Sequence, residues 1–182
     1  MTELVGKSIG IVGFGRIGRR VGEVAHAFGM RVLAQDVHQG QPPAYPDFQW
    51  RTIEELFAES DVVSLHCPQT VDNTQFVNKA LLEKMKPTAI LINAARGGLI
   101  NEADLTDALK AGKIAGACLD VVSAEPIRKD NPLLFAPRCL LTPHIGWATV
   151  EARRRLMQTT AENLAAFLAG KPTNVVNGLE PT

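Results

Sequence analysis

Short apolar segments alternate with longer amphipathic stretches along the whole chain. This alternation is typical of strands joined by crossover helices. Six segments are predicted to be strands: residues 8–12, 31–35, 62–66, 89–93, 116–120 and 139–142. Most are continuously apolar, as expected where helices cover both faces of a parallel sheet. The pattern therefore predicts an α/β protein.

Helix boundaries are predicted from residues that cap helix ends. Four predicted helices begin after capping side chains, namely Thr52, Asn78, Asn101 and Thr149. The first is expected to run through Ala58 and the second through Met85. The two longer helices are expected to stop at Gly112 and Gly170. The proline-rich segment 38–47 is predicted to be a surface loop.

Composition narrows the class of protein and partner. The chain has 182 residues, 46% apolar and 21% charged, which favours one soluble folded domain. Lysine plus arginine equals aspartate plus glutamate at 19 each, so the net basic field of nucleic-acid binders is missing. The sequence shows no secretory signal and no apolar run near the roughly 20 residues that span a bilayer. We therefore expect a cytoplasmic protein with a small-molecule partner.

Cysteine and histidine placement argues against disulfides and metal ions. Cys67, Cys118 and Cys139 are odd in number, and each lies in an apolar run. Such cysteines are typical of reduced core thiols in a cytosolic protein. No spacing of His and Cys matches a metal site, so we predict none.

A glycine-rich motif follows the first predicted strand. Gly13, Gly15 and Gly18 form G-x-G-x-x-G, in which the glycines permit a tight turn, approach of a pyrophosphate and close helix packing. The following helix N-terminus offers unpaired N–H groups to the phosphates. Asp36 ends the second strand, where a carboxylate is expected for the ribose hydroxyls. Together these features predict a Rossmann-type, doubly wound parallel sheet that binds a dinucleotide.

The residue after Asp36 bears on the choice of dinucleotide. Val37 stands there rather than an arginine that would neutralise a 2′-phosphate, and the carboxylate itself would repel that phosphate. We therefore predict NAD rather than NADP as the cofactor.

The glycine motif and four further motifs carry a resemblance to a known family: GFGRIG at 13–18, LHCPQT at 65–70, NAARGG at 93–98, LDVVSAEP at 119–126 and TPHIGWAT at 142–149. From residue 6 to residue 177 the chain resembles the D-isomer-specific 2-hydroxyacid dehydrogenases. The WAT at 147–149 and the NVVN at 174–177 are most similar to the glycerate dehydrogenase, or hydroxypyruvate reductase, branch.

The resemblance implies two sets of site residues. Three residues occupy the catalytic positions of the family: Arg96, Glu125 and His144. Positions that line the dinucleotide in the family are occupied by Gly13, Gly15, Arg16, Ile17, Gly18, Asp36, Cys67, Pro68, Ala94, Ala95, Arg96, Asp120, His144 and Gly146. Among these, Asp120 is expected to hold the nicotinamide carboxamide.

The expected reaction is hydride transfer between NAD(H) and a D-2-hydroxy acid or 2-keto acid such as hydroxypyruvate or glyoxylate. Reduction of the carbonyl requires a proton donor, and a histidine imidazole can act as general acid or general base in the two directions. His144 is the expected donor. Glu125 would orient the imidazole, and Arg96 would grip the substrate carboxylate. His66, although next to Cys67, is expected to be structural.

The resemblance also implies how the chain is organised. Residues 1–182 are expected to form one NAD-binding domain, and the family's separate substrate-binding domain is expected to be absent from this chain. We therefore expect NAD(H) binding with slow turnover by the chain alone. Homodimerisation through the cofactor domain is the expected assembly.

Two other functions share the glycine motif. The first is a non-catalytic NAD-binding or redox-sensing interaction module, which would carry every motif named above. The second is another Rossmann protein, such as a methyltransferase that uses S-adenosylmethionine. The pairing of Glu125 with His144 has no evident purpose in such a methyltransferase.

Overall fold

A computed structural model describes residues 3–178 of the chain. The first two and last four residues of the domain predicted over 1–182 lie outside the described residues. The chain divides into two compact units, one ending at Pro143 and one beginning at His144.

The first unit contains a sheet of seven parallel strands in the order β3-β2-β1-β4-β5-β6-β7. The strands are β1 Ser8–Val12, β2 Arg31–Gln35, β3 Gln49–Trp50, β4 Val62–Leu65, β5 Ile90–Asn93, β6 Gly116–Leu119 and β7 Cys139–Leu141. The six predicted strands are confirmed, and four of them are one residue shorter than predicted. The seventh, β3, was not predicted because two residues in a loop carry no periodic pattern.

Four helices belong to this unit: α1 Arg16–Ala27, α2 Ile53–Glu59, α3 Lys79–Leu82 and α4 Glu102–Lys110. The predicted caps Thr52, Asn78 and Asn101 each accept a backbone N–H bond in the first turn of their helix. The prediction that the Asn78 helix runs through Met85 is wrong. Beyond Glu83 the N–H groups of Lys84 and Met85 bond three residues back, so the chain tightens out of the α-helix.

The helices cover both faces of the sheet. Along β1, Ile9 and Ile11 pack in a cluster with Ala25 of α1, whereas Val12 packs in a cluster with Leu56 and Phe57 of α2. Alternate residues of a strand point to opposite faces, so α1 and α2 lie on opposite sides of the sheet. The predicted α/β, doubly wound Rossmann-type fold is therefore confirmed.

The larger core cluster extends the α2 face of the sheet. It joins buried side chains of α2, α3 and α4, among them Leu56, Phe57, Leu82, Leu105 and Leu109. Burial of each such side chain contributes about 1.5–3 kcal/mol. This packed layer gives a rigid support for the loops that leave the carboxyl ends of the strands.

The second unit contains one long helix, α5 Val150–Leu168. Its predicted cap is confirmed, since Thr149 accepts the N–H of Ala152, and the helix ends before Gly170 at φ +69°. Among residues 3–178, no helix has the length and apolar character needed to cross a bilayer.

The three cysteines are free thiols, as predicted. Each is half-buried, so the thiols lie at the margin of the core rather than within it. Burial raises the pKa of the Cys139 thiol to about 11. Cys139 is therefore a protonated packing residue at neutral pH.

Candidate active site

The sheet order reverses between β1 and β4, and the glycine turn leaves β1 at that point. Gly13 has φ +90°, and its N–H bonds Gln35 O at 2.8 Å. A Cβ at Gly13 would lie 2.5 Å from the backbone nitrogen of Cys67, which follows β4. Only glycine fits this turn, which brings the ends of both strands together where open α/β sheets bind ligands.

The start of α1 is open to a ligand. Gly15 is the N-cap and provides no side chain to bond the first N–H groups. A Cβ there would meet no described atom within 4 Å, so the backbone can be approached closely. Gly18 is buried, and a Cβ added there would lie only 2.2 Å from Gly13 O, so the position has no room for a side chain. Arg16 and Ile17 form the exposed first turn of α1.

Asp36 is fixed beside the glycine turn. Its carboxylate accepts the N–H of Phe14 at 2.7 Å and the N–H of His38 at 3.0 Å. A carboxylate has about four acceptor positions, so it also has capacity for the hydroxyls of a ribose. The structure therefore joins the two halves of the dinucleotide motif by a direct hydrogen bond.

A cleft of about 520 Å³ lies over this junction. Its lining includes five predicted residues: Gly13, Gly15, Asp36, Cys67 and Pro68. Sequence reasoning missed the far wall, which includes Thr70, Asp72, Asn73 and Phe76. That wall is a turn in which Asn73 accepts the N–H of Thr70 and donates to Pro68 O. The polar T-V-D-N run was the available signal for such a turn.

Two neighbouring side chains line the cleft in uncharged form. His66, expected to be structural, lines the cleft and has Nε2 2.9 Å from Ser64 Oγ. Burial lowers the pKa of the His66 imidazole, which favours the neutral ring. Burial raises the pKa of the Cys67 thiol, and the charge of Asp36 raises it further. The wall that would face a dinucleotide therefore has no cation or thiolate at this point.

The segment after β5 carries Ala94, Ala95 and Arg96. The buried Asn93 donates to Arg96 O and accepts the N–H of Ala95, both at 2.9 Å. These bonds fix the segment in a single bend. The Arg96 guanidinium is exposed and donates to Ala95 O at 2.7 Å. It retains further donors, since a guanidinium has five N–H groups.

The segment after β6 carries Glu125 and packs against the Arg96 segment. A Cβ at Gly97 would lie 1.9 Å from the carbonyl carbon of Val122, so the two backbones are in direct contact. Glu102 accepts the N–H and the hydroxyl of Ser123, both at 2.7 Å. The structure therefore brings the segments of Arg96 and Glu125 together at the carboxyl edge of the sheet. Asp120 lies at the same edge, with its N–H bonded to Asn93 O at 2.9 Å.

His144 and Gly146 belong to the second unit. His144 has φ +54°, in the left-handed region that few non-glycine residues adopt. Its predicted meeting with Arg96 and Glu125 remains a prediction. Within residues 3–178, no group of three or more His, Cys, Asp or Glu side chains is placed to hold a metal ion.

The open N-cap provides a selective test of the cleft. Gly15→Ala should raise the dissociation constant for NADH about tenfold or more, because a methyl group would occupy the space reserved for the pyrophosphate. Stability should fall by less than about 1 kcal/mol, since Gly15 has φ −77° and empty space around it. Calorimetric titration and thermal unfolding measure the two effects. Gly13→Ala should instead lose both binding and stability; equal NADH affinity in Gly15→Ala would contradict the assignment.

Residues 1–146 match the model of the D-isomer specific 2-hydroxyacid dehydrogenase, NAD binding domain. A hydroxypyruvate reductase of Blautia hydrogenotrophica is 49% identical over 177 residues, which are 97% of this chain and 55% of that protein. The chain therefore spans about half the length of the curated relatives it matches.

Solved structures agree with this match. The NAD complex of a D-isomer specific 2-hydroxyacid dehydrogenase from Lactobacillus delbrueckii ssp. bulgaricus has a TM-score of 0.86 and 30% identity, covering 97% of this chain and 58% of that one. An acyclic imino acid reductase in complex with NADPH and D-Arg has a TM-score of 0.85 and 39% identity, covering 96% and 55%. The chain belongs to the D-isomer-specific 2-hydroxyacid dehydrogenase family, of which it carries the NAD-binding domain.

Proposed function

We propose that this chain is the cofactor-binding part of an NAD-dependent dehydrogenase that interconverts D-2-hydroxy acids and 2-keto acids. Hydroxypyruvate, glycerate and glyoxylate are the proposed substrates, because a hydroxypyruvate reductase is 49% identical to the chain. The observation that carries the proposal is the hydrogen bond between Phe14 of the glycine turn and Asp36. This bond would hold the proposed pyrophosphate and ribose sites in one rigid arrangement.

The residues of the first unit fit a dinucleotide. The α1 N-terminus at Gly15 would hold the pyrophosphate, and Asp36 would accept bonds from the adenine ribose. Asp120 would accept a bond from the nicotinamide carboxamide at the other end of the carboxyl edge. When bound, the cofactor supplies or accepts the hydride at nicotinamide C4.

The remaining chemistry falls to three side chains. We assign His144 to deliver the proton that the carbonyl oxygen requires as it gains negative charge. Glu125 would accept a hydrogen bond from the imidazole and stabilise its protonated form. Arg96 would bind the substrate carboxylate, for which its exposed planar guanidinium is suited. The rate measurements described in the Discussion test this assignment.

The charge of Asp36 should set the preference between the two dinucleotides. Asp36→Asn keeps the shape of the side chain and removes the charge that would repel a 2′-phosphate. We expect the ratio of NADPH to NADH dissociation constants to fall about tenfold, since repulsion between two negative charges in the ribose site costs about 1–2 kcal/mol. Parallel calorimetric titrations with both nucleotides measure the ratio. A ratio unchanged from the parent chain would show that Asp36 does not discriminate between the two nucleotides.

Family membership bears on the two other functions considered from the sequence. The relatives are dehydrogenases, which supports the enzyme over a non-catalytic module. The same membership speaks against a methyltransferase that uses S-adenosylmethionine.

We also propose that the protein acts in the cytoplasm as a homodimer formed through the cofactor domain. The proposal rests on the family to which the chain belongs. Light scattering should give twice the mass of the chain at micromolar concentration, and cell fractionation should find the protein with the soluble enzymes. A monomer mass or a membrane fraction would contradict these expectations.

A further inference from the structure

Two neighbouring residues lie just beyond the carboxyl ends of β6 and β7. Leu119 and Leu141 are the last register partners of the two strands, and the N–H of Thr142 bonds Leu119 O at 2.9 Å. Asp120 and Thr142 therefore follow side by side at the edge of the sheet. Asp120 is tied on its other side to β5 by the bond from its N–H to Asn93 O.

A short hydrogen bond joins these two side chains. Thr142 Oγ1 lies 2.5 Å from Asp120 Oδ1, the length of a charge-assisted O–H···O⁻ bond. A threonine hydroxyl has one proton to donate, and here the carboxylate receives it. The bond uses one of about four acceptor positions of the carboxylate and restricts its rotation.

The position of Thr142 distinguishes this bond from a core contact. Thr142 is exposed, and Asp120 is half-buried. A hydrogen bond at an exposed rim contributes little to stability, because water replaces it in the unfolded chain. Its orienting effect on a carboxylate is independent of that small stabilisation.

We propose that Thr142 is a positioning residue for the nicotinamide end of the cofactor. Its hydroxyl holds the Asp120 carboxylate in the rotamer that accepts a hydrogen bond from the carboxamide NH₂ group. This inference rests on the proposed function, in which Asp120 receives that group. Thr142 therefore contributes to the affinity for the nicotinamide but not to the affinity for the adenosine.

The test compares two ligands that differ only at this end. NADH carries the nicotinamide, and ADP-ribose lacks it. In Thr142→Val, which removes the hydroxyl at nearly constant volume, the NADH dissociation constant should rise about five- to tenfold. The ADP-ribose constant should stay within about twofold, and the unfolding midpoint within about 2 °C. Thr142→Ser keeps the hydroxyl and should restore NADH affinity. Isothermal titration calorimetry and thermal unfolding supply the measurements.

A double-mutant cycle adds a readout that a purely structural role would not move. In Asp120→Ala the carboxylate is gone, so adding Thr142→Val should cause no further loss of NADH affinity. Additive losses, or equal weakening of NADH and ADP-ribose by Thr142→Val, would overturn the inference. An unchanged NADH constant in Thr142→Val would overturn it as well.

The parent chain separates this inference from the proposed function. If the chain binds NADH no more tightly than ADP-ribose, Asp120 holds no nicotinamide, and the inference fails while dinucleotide binding stands. If it binds neither ligand, the proposed function fails together with the inference.

Discussion

Replacement of His144 by alanine should lower the rate of hydroxypyruvate reduction at least about a hundredfold, because a general acid in the transition state contributes that much or more. The dissociation constant for NADH should change by less than about threefold, since the residues proposed to hold the pyrophosphate and the adenine ribose belong to the first unit. The rate is followed by loss of NADH absorbance, on the chain alone and on the chain joined to the substrate-binding domain of a relative. The split between rate and affinity is the expected signature of a proton donor.

His38→Ala is the matched control for this experiment. His38 is exposed in the loop after β2, and only its backbone N–H contacts Asp36. Its replacement should leave the rate within about twofold of the parent. A His144→Ala variant that reduces hydroxypyruvate at the parental rate would show that another group delivers the proton.

Gly97→Ala should destabilise the first unit by about 3 kcal/mol. The added methyl group would clash with backbone atoms, which cannot rotate away as a flexible side chain could. The Cβ would lie 1.9 Å from the carbonyl carbon of Val122 and 2.1 Å from its oxygen. The clash can be removed only if the segments that carry Arg96 and Glu125 move apart. Chemical denaturation measures the free energy of unfolding, and hydroxypyruvate reduction should fall in the same variant.

Gly98→Ala tests whether the effect belongs to this contact or to any glycine of the segment. The three atoms nearest to a Cβ at Gly98 would all belong to the side-chain amide of Gln69, which can rotate away. We expect a loss below about 1 kcal/mol for this neighbour. Similar losses in both variants would contradict the proposed backbone contact.

The sequence predicted the architecture because its signals are local. Each of the six predicted strands is an apolar run, and caps such as Asn101 act within one turn of their own helix. The Gly13 turn and Asp36 were also predictable, since the spacing of the motif reflects the geometry of the dinucleotide. What the structure adds there is the bond from Phe14 to Asp36.

Contacts between distant segments could not be predicted in the same way. The bonds of Glu102 to Ser123 join residues 21 apart, and nothing in a single sequence marks them as partners. The bond of Thr142 to Asp120 likewise depends on strand order, which places β7 beside β6. The four-residue α3 fell short of its prediction because tight i→i+3 turns share the apolar pattern of an α-helix.

The cleft beside Gly13 and Asp36 is expected to be a dinucleotide site, and a calorimetric titration of the chain with NADH tests this most directly. We predict saturable binding of about one NADH per chain, displaced by ADP-ribose and weakened in Gly15→Ala. Absence of saturable binding up to about millimolar NADH, or binding that ADP-ribose does not displace, would contradict the account.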